Sequence, residues 1–191
     1  MIGRINAVTP HFELLGFCDD AEEKREGLCD TIPLLGTLDQ VTARFGPVGF
    51  FCAIGNNHTR REVTRYARSA GHEPVTLVDP SAVIAPDAVI GVGSYVGIRS
   101  VVSVGVRLGE GVLVNHQVCV GHDVRVGDFA QLCPGVCVSG GCELGEGALL
   151  GTLSGTIPLR RVGAWATVGA GTMAFRDVAE GQSVVRLIAT T

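Results

Sequence analysis

The chain has 191 residues, enough to bury one large hydrophobic core or two small ones. Its net charge of −4 and pI near 5.7 argue against the basic surface that nucleic-acid binding requires. No stretch of 18 apolar residues predicts a membrane span, and residues 1–17 lack the hydrophobic segment of a signal peptide. We therefore expect a cytoplasmic protein whose seven cysteines are mostly buried, reduced thiols.

Residues 1–79 alternate between short apolar runs and segments with helical periodicity, which predicts a small α/β unit with parallel strands. Thr37 and Gln40 have the spacing of a capping box at the start of the first helix. The three predicted strands are Leu14–Phe17, Val48–Ile54 and Val75–Val78, and the first predicted helix is Thr37–Phe45. A second helix is predicted between the last two strands, with its cap at Asn57 or Thr59 and one face formed by Val63, Tyr66, Ala67 and Ala70.

Residues 80–191 follow a six-residue period instead. Counting from Ile84, the first position of each hexapeptide is aliphatic in fourteen of fifteen cases, and Thr156 is the exception. The second position is Gly in nine of the fifteen, and the fifth is small or β-branched except at Arg160. This pattern predicts a second domain of a different architecture.

A three-sided coil explains the period, because one side and one corner take six residues and a full turn takes eighteen. The aliphatic residue fills the prism, the Gly tolerates the corner, and the small residue avoids crowding inside. Five coils fit between Ile84 and Met173 without an insertion. The spacing alone does not fix the handedness of the coil.

Two histidines of this domain occupy the third position of their hexapeptides, which points outward near a corner. They are His116 and His122 in the segment Val114–Asp123. Imidazole has a pKa suited to accept a proton, and a carboxylate on the other ring nitrogen would fix its tautomer. From position alone, a solvated corner residue is the better explanation of either histidine. Adjacent residues on a straight strand face opposite ways, so pairing of His122 with Asp123 requires corner geometry or a neighbouring subunit.

The motifs Val120-Gly121-His122-Asp123 and Val126-Gly127-Asp128-Phe129 closely resemble those of one hexapeptide-repeat family, the sialic acid O-acetyltransferases and nucleotide-amino-sugar N-acetyltransferases. In residues 1–79, three segments are similar to that family's sugar-nucleotide domain: Gly16–Asp20, Ile32–Gly36 and Ala53–Asn57. The resemblance implies a left-handed parallel β-helix over 80–191, preceded by an incomplete Rossmann-like unit over 1–79. The implied activity is acetyl transfer from acetyl-CoA to a nucleotide-linked sugar in bacterial glycan biosynthesis, by a homotrimer and without a metal.

By the same resemblance, His122 is the general base, Asp123 raises its basicity, and the backbone amide of Gly140 stabilises the oxyanion. Two glycines easing a corner would also account for Gly140 and Gly141. The positions that match the family's cofactor contacts are Gln131, where the family often has a histidine, Thr152 and Ala170. The positions that match its substrate contacts are Asp19, Asp20 and Gly55, which we expect to line one crevice.

The chain differs from the family at both ends. Family members open with a strand and a Gly-rich turn, whereas this chain begins at what corresponds to the following helix. Either the natural start lies upstream, which we favour, or the protein works with a reduced nucleotide site. At the other end, Val184–Thr190 lacks the Gly, Pro and terminal basic residue usual in the family.

Two other functions fit the repeat. A metal-dependent hydratase like the gamma-class carbonic anhydrases would need three ligands, but only His116 and His122 lie on the prism, while His11, His58 and His72 belong to the N-terminal unit. A non-catalytic trimeric scaffold or sugar-nucleotide-binding relative is the alternative from another class.

Overall fold

The computed structural model describes residues 3–5, 12–20 and 32–185. Among the described N-terminal residues, 3–5 are helical, and two helices are described in full, α1 at Leu38–Phe45 and α2 at Asn57–Ser69. The capping box of α1 is formed as predicted, since the Thr37 side chain accepts from the Gln40 amide and the Gln40 side chain accepts from the Thr37 amide. No helix among these residues is long and apolar enough to cross a membrane.

From Leu77 onward the chain forms a parallel β-helix of three sides, as the hexapeptides predict, and it is left-handed, as the resemblance to the family implies. A seven-stranded side contains β3, β6, β9, β12, β15, β18 and β20; a six-stranded side contains β4, β7, β10, β13, β16 and β19; a five-stranded side contains β5, β8, β11, β14 and β17. The strands are β1 Gly49–Phe50, β2 Glu73–Pro74, β3 Leu77–Val78, β4 Val83–Ile84, β5 Val89–Ile90, β6 Tyr95–Val96, β7 Val101–Val102, β8 Arg107–Leu108, β9 Leu113–Val114, β10 Cys119–Val120, β11 Arg125–Val126, β12 Gln131–Leu132, β13 Cys137–Val138, β14 Glu143–Leu144, β15 Leu149–Leu150, β16 Gly155–Thr156, β17 Arg161–Val162, β18 Thr167–Val168, β19 Met173–Ala174 and β20 Ser183–Val184.

The interior of the prism is the predicted one. Val120 and Val126, at the first position, are 0% and 4% exposed. The fifth position also points inward, with Ser94, Val106 and Ala130 all fully buried. Burial of this column of aliphatic side chains is the main favourable contribution to folding of the domain.

The glycines at the second position of the hexapeptides are required for a different reason from the predicted corner geometry. Gly121, at the second position, has no left-handed backbone; a Cβ there would lie 2.8 Å from the Gly140 nitrogen in the next coil. A Cβ on Gly127 would likewise lie 2.6 Å from the Glu146 nitrogen. These glycines therefore allow successive coils to approach, and the left-handed corner residue is the fourth of the hexapeptide.

Several predictions for the N-terminal unit are wrong in detail. In the described part of residues 14–54, the only β structure is the bridge between Phe17 and Leu34 and the two-residue β1, which pairs with β2. The predicted strand at Val75–Val78 contributes Leu77–Val78 to the β-helix instead, where it pairs with β6. Short apolar runs do not distinguish a two-residue ladder from a full strand.

Helix α2 contacts the prism through a polar face that apolar periodicity did not predict. Its N-cap is Asn56, one residue before the predicted Asn57, and its buried residues are Asn57, Arg60, Thr64 and Ala67. Tyr66 is 51% exposed instead of packed inward. The helix meets backbone carbonyl groups at the prism corner, so polar side chains are the ones that become buried.

Candidate active site

His122 and Asp123 form a pair at the corner that follows β10. Asp123 has φ +57, and this left-handed backbone brings its Oδ2 to 2.9 Å from His122 Nδ1. Corner geometry within one chain therefore explains how adjacent residues meet. With a proton on Nδ1 the ring donates to the carboxylate, and Nε2 keeps a lone pair to accept a proton. Both side chains are well exposed, 65% for His122 and 72% for Asp123.

Two glycines hold this pair from either side. A Cβ on Gly105, one coil before Asp123, would lie 2.5 Å from Asp123 Oδ1. A Cβ on Gly140, one coil after His122, would lie 2.5 Å from His122 Nε2. The Asp123 carboxylate therefore packs against the backbone of Gly105, and the His122 ring packs against the backbone of Gly140. Sequence reasoning missed Gly105, which could have been found by stepping back eighteen residues from Asp123.

The amide of Gly140 lies beside the imidazole and is available to a ligand. It donates no hydrogen bond within the described part of the chain, whereas the Gly140 carbonyl accepts from the Leu159 amide at 3.0 Å. The Gly141 amide donates to the His122 carbonyl at 2.9 Å, which fixes the corner. An imidazole and a backbone amide that donates no hydrogen bond among the described residues therefore lie in one small region, an arrangement suited to acyl transfer.

The predicted cofactor residues lie elsewhere on the prism. Gln131 stands on β12, and its buried Oε1 accepts no hydrogen bond within the described residues. Thr152 and Ala170 are exposed and occupy equivalent corner positions one coil apart, where the Thr152 carbonyl accepts from the Gly171 amide at 2.8 Å. An orphaned acceptor and an exposed hydroxyl suit a ligand rich in amides and phosphates such as coenzyme A.

The His122 corner and the predicted cofactor residues do not meet within one chain. His122 and Gly140 lie at the corner between the six- and five-stranded sides, whereas Thr152 and Ala170 lie at the corner between the seven- and six-stranded sides. The six-stranded side separates the two corners. Its outward residues carry no charge: Val83, Val101, Cys119, Cys137, Gly155 and Met173. The outward residues of the five-stranded side are mostly charged: Val89, Arg107, Arg125, Glu143 and Arg161.

The three predicted substrate residues lie on loops of the N-terminal unit. The Asp19 amide donates to the Gly36 carbonyl at 3.1 Å, and Asp20 is exposed at the end of the same segment. Gly55 is exposed just before α2, with open space where a Cβ would lie. A crevice shared by all three stays a prediction.

Two other histidines, His72 and His116, make contacts with nearby residues that account for their positions. His72 is buried, where its Nδ1 accepts from the Val48 amide and its Nε2 lies 2.8 Å from Thr42 Oγ1. His116 is exposed and meets the edge of Tyr95, in a shallow groove of about 480 Å³ shared with Arg4 and Arg99. The described residues contain no group of three or more His, Cys, Asp or Glu side chains that could hold a metal ion.

Comparison with known proteins gives a consistent result. Residues 1–67 match the profile of the PglD N-terminal domain. The acetyltransferase domain of PglB from Neisseria gonorrhoeae, solved with acetyl coenzyme A, is 31% identical over 97% of this chain and 89% of that chain, with a TM-score of 0.87. PerB from Caulobacter crescentus, solved with CoA and GDP-perosamine, is 31% identical over 81% of this chain and 76% of that chain, with a TM-score of 0.78. A histidine-to-asparagine variant of that perosamine N-acetyltransferase has also been solved, with the same two ligands. No protein of curated function matches the chain in sequence.

Proposed function

Because this chain belongs to the hexapeptide-repeat family of nucleotide-amino-sugar N-acetyltransferases, we propose that it transfers the acetyl group of acetyl-CoA to the amine of a nucleotide-linked sugar. The observation that carries the mechanism is the His122–Asp123 pair, whose free ring nitrogen lies against Gly140. We assign the reaction to the cytoplasm, and the six described cysteines, all free, agree with a reducing compartment. The prediction that most of them are buried is wrong, since among the six only Cys142 is buried.

Each step uses a group at this corner. The sugar amine attacks the thioester carbonyl while His122 Nε2 takes up the proton that the amine loses, and Asp123 stabilises the imidazolium that forms. The Gly140 amide donates to the oxyanion of the tetrahedral intermediate. The C–S bond then breaks, and the imidazolium returns its proton to the leaving thiolate of coenzyme A. The products are an acetamido sugar and free coenzyme A.

A homotrimer would complete this site. The base lies at one edge of the six-stranded side and the cofactor positions at the other, so one chain holds two half-sites. If this uncharged side faces a threefold axis, the His122 edge of each copy meets the Thr152 edge of its neighbour. The outward Cys119 and Cys137, in register on adjacent coils, would then pack near the axis. Gln131, Thr152 and Ala170 would hold the coenzyme in the groove between neighbouring copies.

The experiment that tests the function is acetyl-CoA turnover with a panel of nucleotide amino sugars, comparing wild type with His122→Ala. Removing the base should lower kcat on the order of 10² to 10⁴, the range for general acid–base catalysis. His116→Ala is the matched control, since it removes an exposed imidazole from the same coil without touching Asp123. Equal loss in both variants would contradict the assignment of His122. No turnover with any acceptor would favour the non-catalytic scaffold.

A further inference from the structure

Every corner from residue 93 to residue 171 has a left-handed residue at the fourth position of its hexapeptide, and half of these residues are not glycine. Five of them are large side chains that lie on a left-handed glycine one coil earlier, because a Cβ on that glycine would collide with them. The pairs are Gly105 with Asp123, Gly111 with Phe129, Gly135 with Leu153, Gly141 with Leu159 and Gly147 with Trp165.

Three of the five side chains have an evident use within the chain. Asp123 pairs with His122. Phe129 is buried, and its carbonyl accepts from the Arg60 guanidinium at 2.6 Å. Trp165 stacks on His58 of α2, with ring centroids 3.8 Å apart. Each left-handed conformation therefore supports a contact.

Leu153 and Leu159 have no such contact, and their conformation should cost the most free energy of the five. They are 71% and 70% exposed, with φ values of +57 and +61. A left-handed non-glycine residue costs about 1–3 kcal/mol, and an apolar side chain in water adds to that cost. Strain of this kind persists where it serves a function.

The hexapeptide that contains Leu159 is also the one that departs furthest from the repeat. Thr156 replaces the aliphatic residue and Arg160 replaces the small one. Inside the prism, Cys142 Sγ lies 3.2 Å from Thr156 Oγ1 and accepts from the Arg160 amide at 3.4 Å. The Ser139 amide donates to the Thr156 hydroxyl. Local rules tend to fail at functional sites, and this failure lies one coil from Gly140.

We propose that Leu159 of one copy and Leu153 of its neighbour hold the pantetheine arm of acetyl-CoA between them. The inference rests on the function proposed above. Leu159 donates its amide to the Gly140 carbonyl, so it lies one coil, about 4.8 Å, beyond the proposed oxyanion donor. Leu153 directly follows Thr152 on the opposite edge. A cofactor that reaches from Gly140 to Ala170 must cross the coil of Leu159, and the methylenes and methyl groups of its arm suit two leucines.

The test compares Leu159→Ala and Leu153→Ala with Val89→Ala, an aliphatic residue 47% exposed on the five-stranded side. Each leucine variant should raise KM for acetyl-CoA, and the Kd for CoA measured by calorimetry, on the order of tenfold. KM for the nucleotide sugar should stay within about twofold of wild type, and kcat should change little because the base and amide remain. Val89→Ala should match wild type in all three constants.

A second ligand separates the arm from the rest of the cofactor. Inhibition by 3′-phosphoadenosine 5′-diphosphate, which lacks the pantetheine arm, should be the same in wild type and both leucine variants. Weaker inhibition in the variants would overturn the proposal, since it would mean general damage to the site. Dissociation of the variants in light scattering would also overturn it, because the leucines would then be contacts between copies. CoA binding reads out the inference even if wild type acetylates none of the sugars tried.

Discussion

At the scale of single residues, the position of the Asp123 carboxylate depends on two backbone features. The left-handed conformation of Asp123 turns its side chain toward His122, and Asp is among the few residues that adopt this conformation readily. Gly105 then leaves room for the carboxylate on the preceding coil. The orientation of Asp123 thus depends on a residue eighteen positions away in the sequence.

Gly105→Ala should therefore lower turnover while the protein stays folded. The new methyl group would displace Asp123 Oδ1, the mobile end of a side chain, and the imidazole would lose its partner. We expect kcat to fall about 10- to 100-fold, part of the contribution of general base catalysis. Gly181→Ala is the control, because Gly181 has φ +67 and nothing within 4 Å of an added Cβ.

Both alanine variants should lose about 1–2 kcal/mol of unfolding free energy from the left-handed backbone. Only Gly105→Ala should lose activity, because only there does the added methyl group displace the carboxylate that orients the imidazole. Equal kcat in the two variants would show that activity does not depend on the space that Gly105 leaves for the Asp123 carboxylate.

At the scale of elements, α2 is attached to the prism by a buried arginine. Arg60 is 1% exposed, and its guanidinium donates to the carbonyls of Gly111, Phe129 and Ile54 and to the Asn57 side chain. Burial lowers the pKa of Arg60 to about 10, so it remains charged at neutral pH. Its partners are backbone oxygens at a corner that Phe129 shapes.

Arg60→Ala should cost about 2–4 kcal/mol in the free energy of unfolding, because it leaves several buried carbonyls without a donor. Arg65→Ala, on the exposed face of the same helix, should change it by less than about 0.5 kcal/mol, since Arg65 is 61% exposed and its ion pair with Glu62 is long, at 3.8 Å. Urea denaturation at one protein concentration measures both values. A loss for Arg60→Ala no larger than that for Arg65→Ala would contradict this account of how α2 is held.

These elements also explain what the sequence could predict. The prism was predictable because each hexapeptide repeats one packing rule, and fifteen repetitions outweigh exceptions such as Thr156. The attachment of α2 was not, because the carbonyls that Arg60 contacts have no side-chain signature. The contact of His122 with Asp123 was left open for a similar reason, since it depends on the φ angle of Asp123. Leu159 was missed because an exposed leucine in a repeat looks like an ordinary variation.

At the scale of the whole molecule, the proposed placement of base and cofactor at opposite edges of the six-stranded side predicts that activity depends on pairs of copies. Each complete site would take His122 from one copy and Thr152 from the next. Two differently damaged chains can then restore each other, provided that the damage lies on opposite edges. A site contained in one chain could not be restored in this way.

Co-expression of His122→Ala with Thr152→Trp should recover activity that neither variant has alone. In a random equal mixture, a working site needs its base from the Thr152→Trp chain and its cofactor edge from the His122→Ala chain, so about a quarter of the sites should be complete. Co-expression of His122→Ala with Asp123→Ala is the control, because both changes lie on one edge and no arrangement of copies places an intact pair in a site. Recovery to about a quarter of wild-type kcat in the first mixture, with no gain in the second, is the result expected for shared sites. If the first mixture stays at the mean of its two separate variants while native mass spectrometry shows mixed trimers, base and cofactor must come from the same chain.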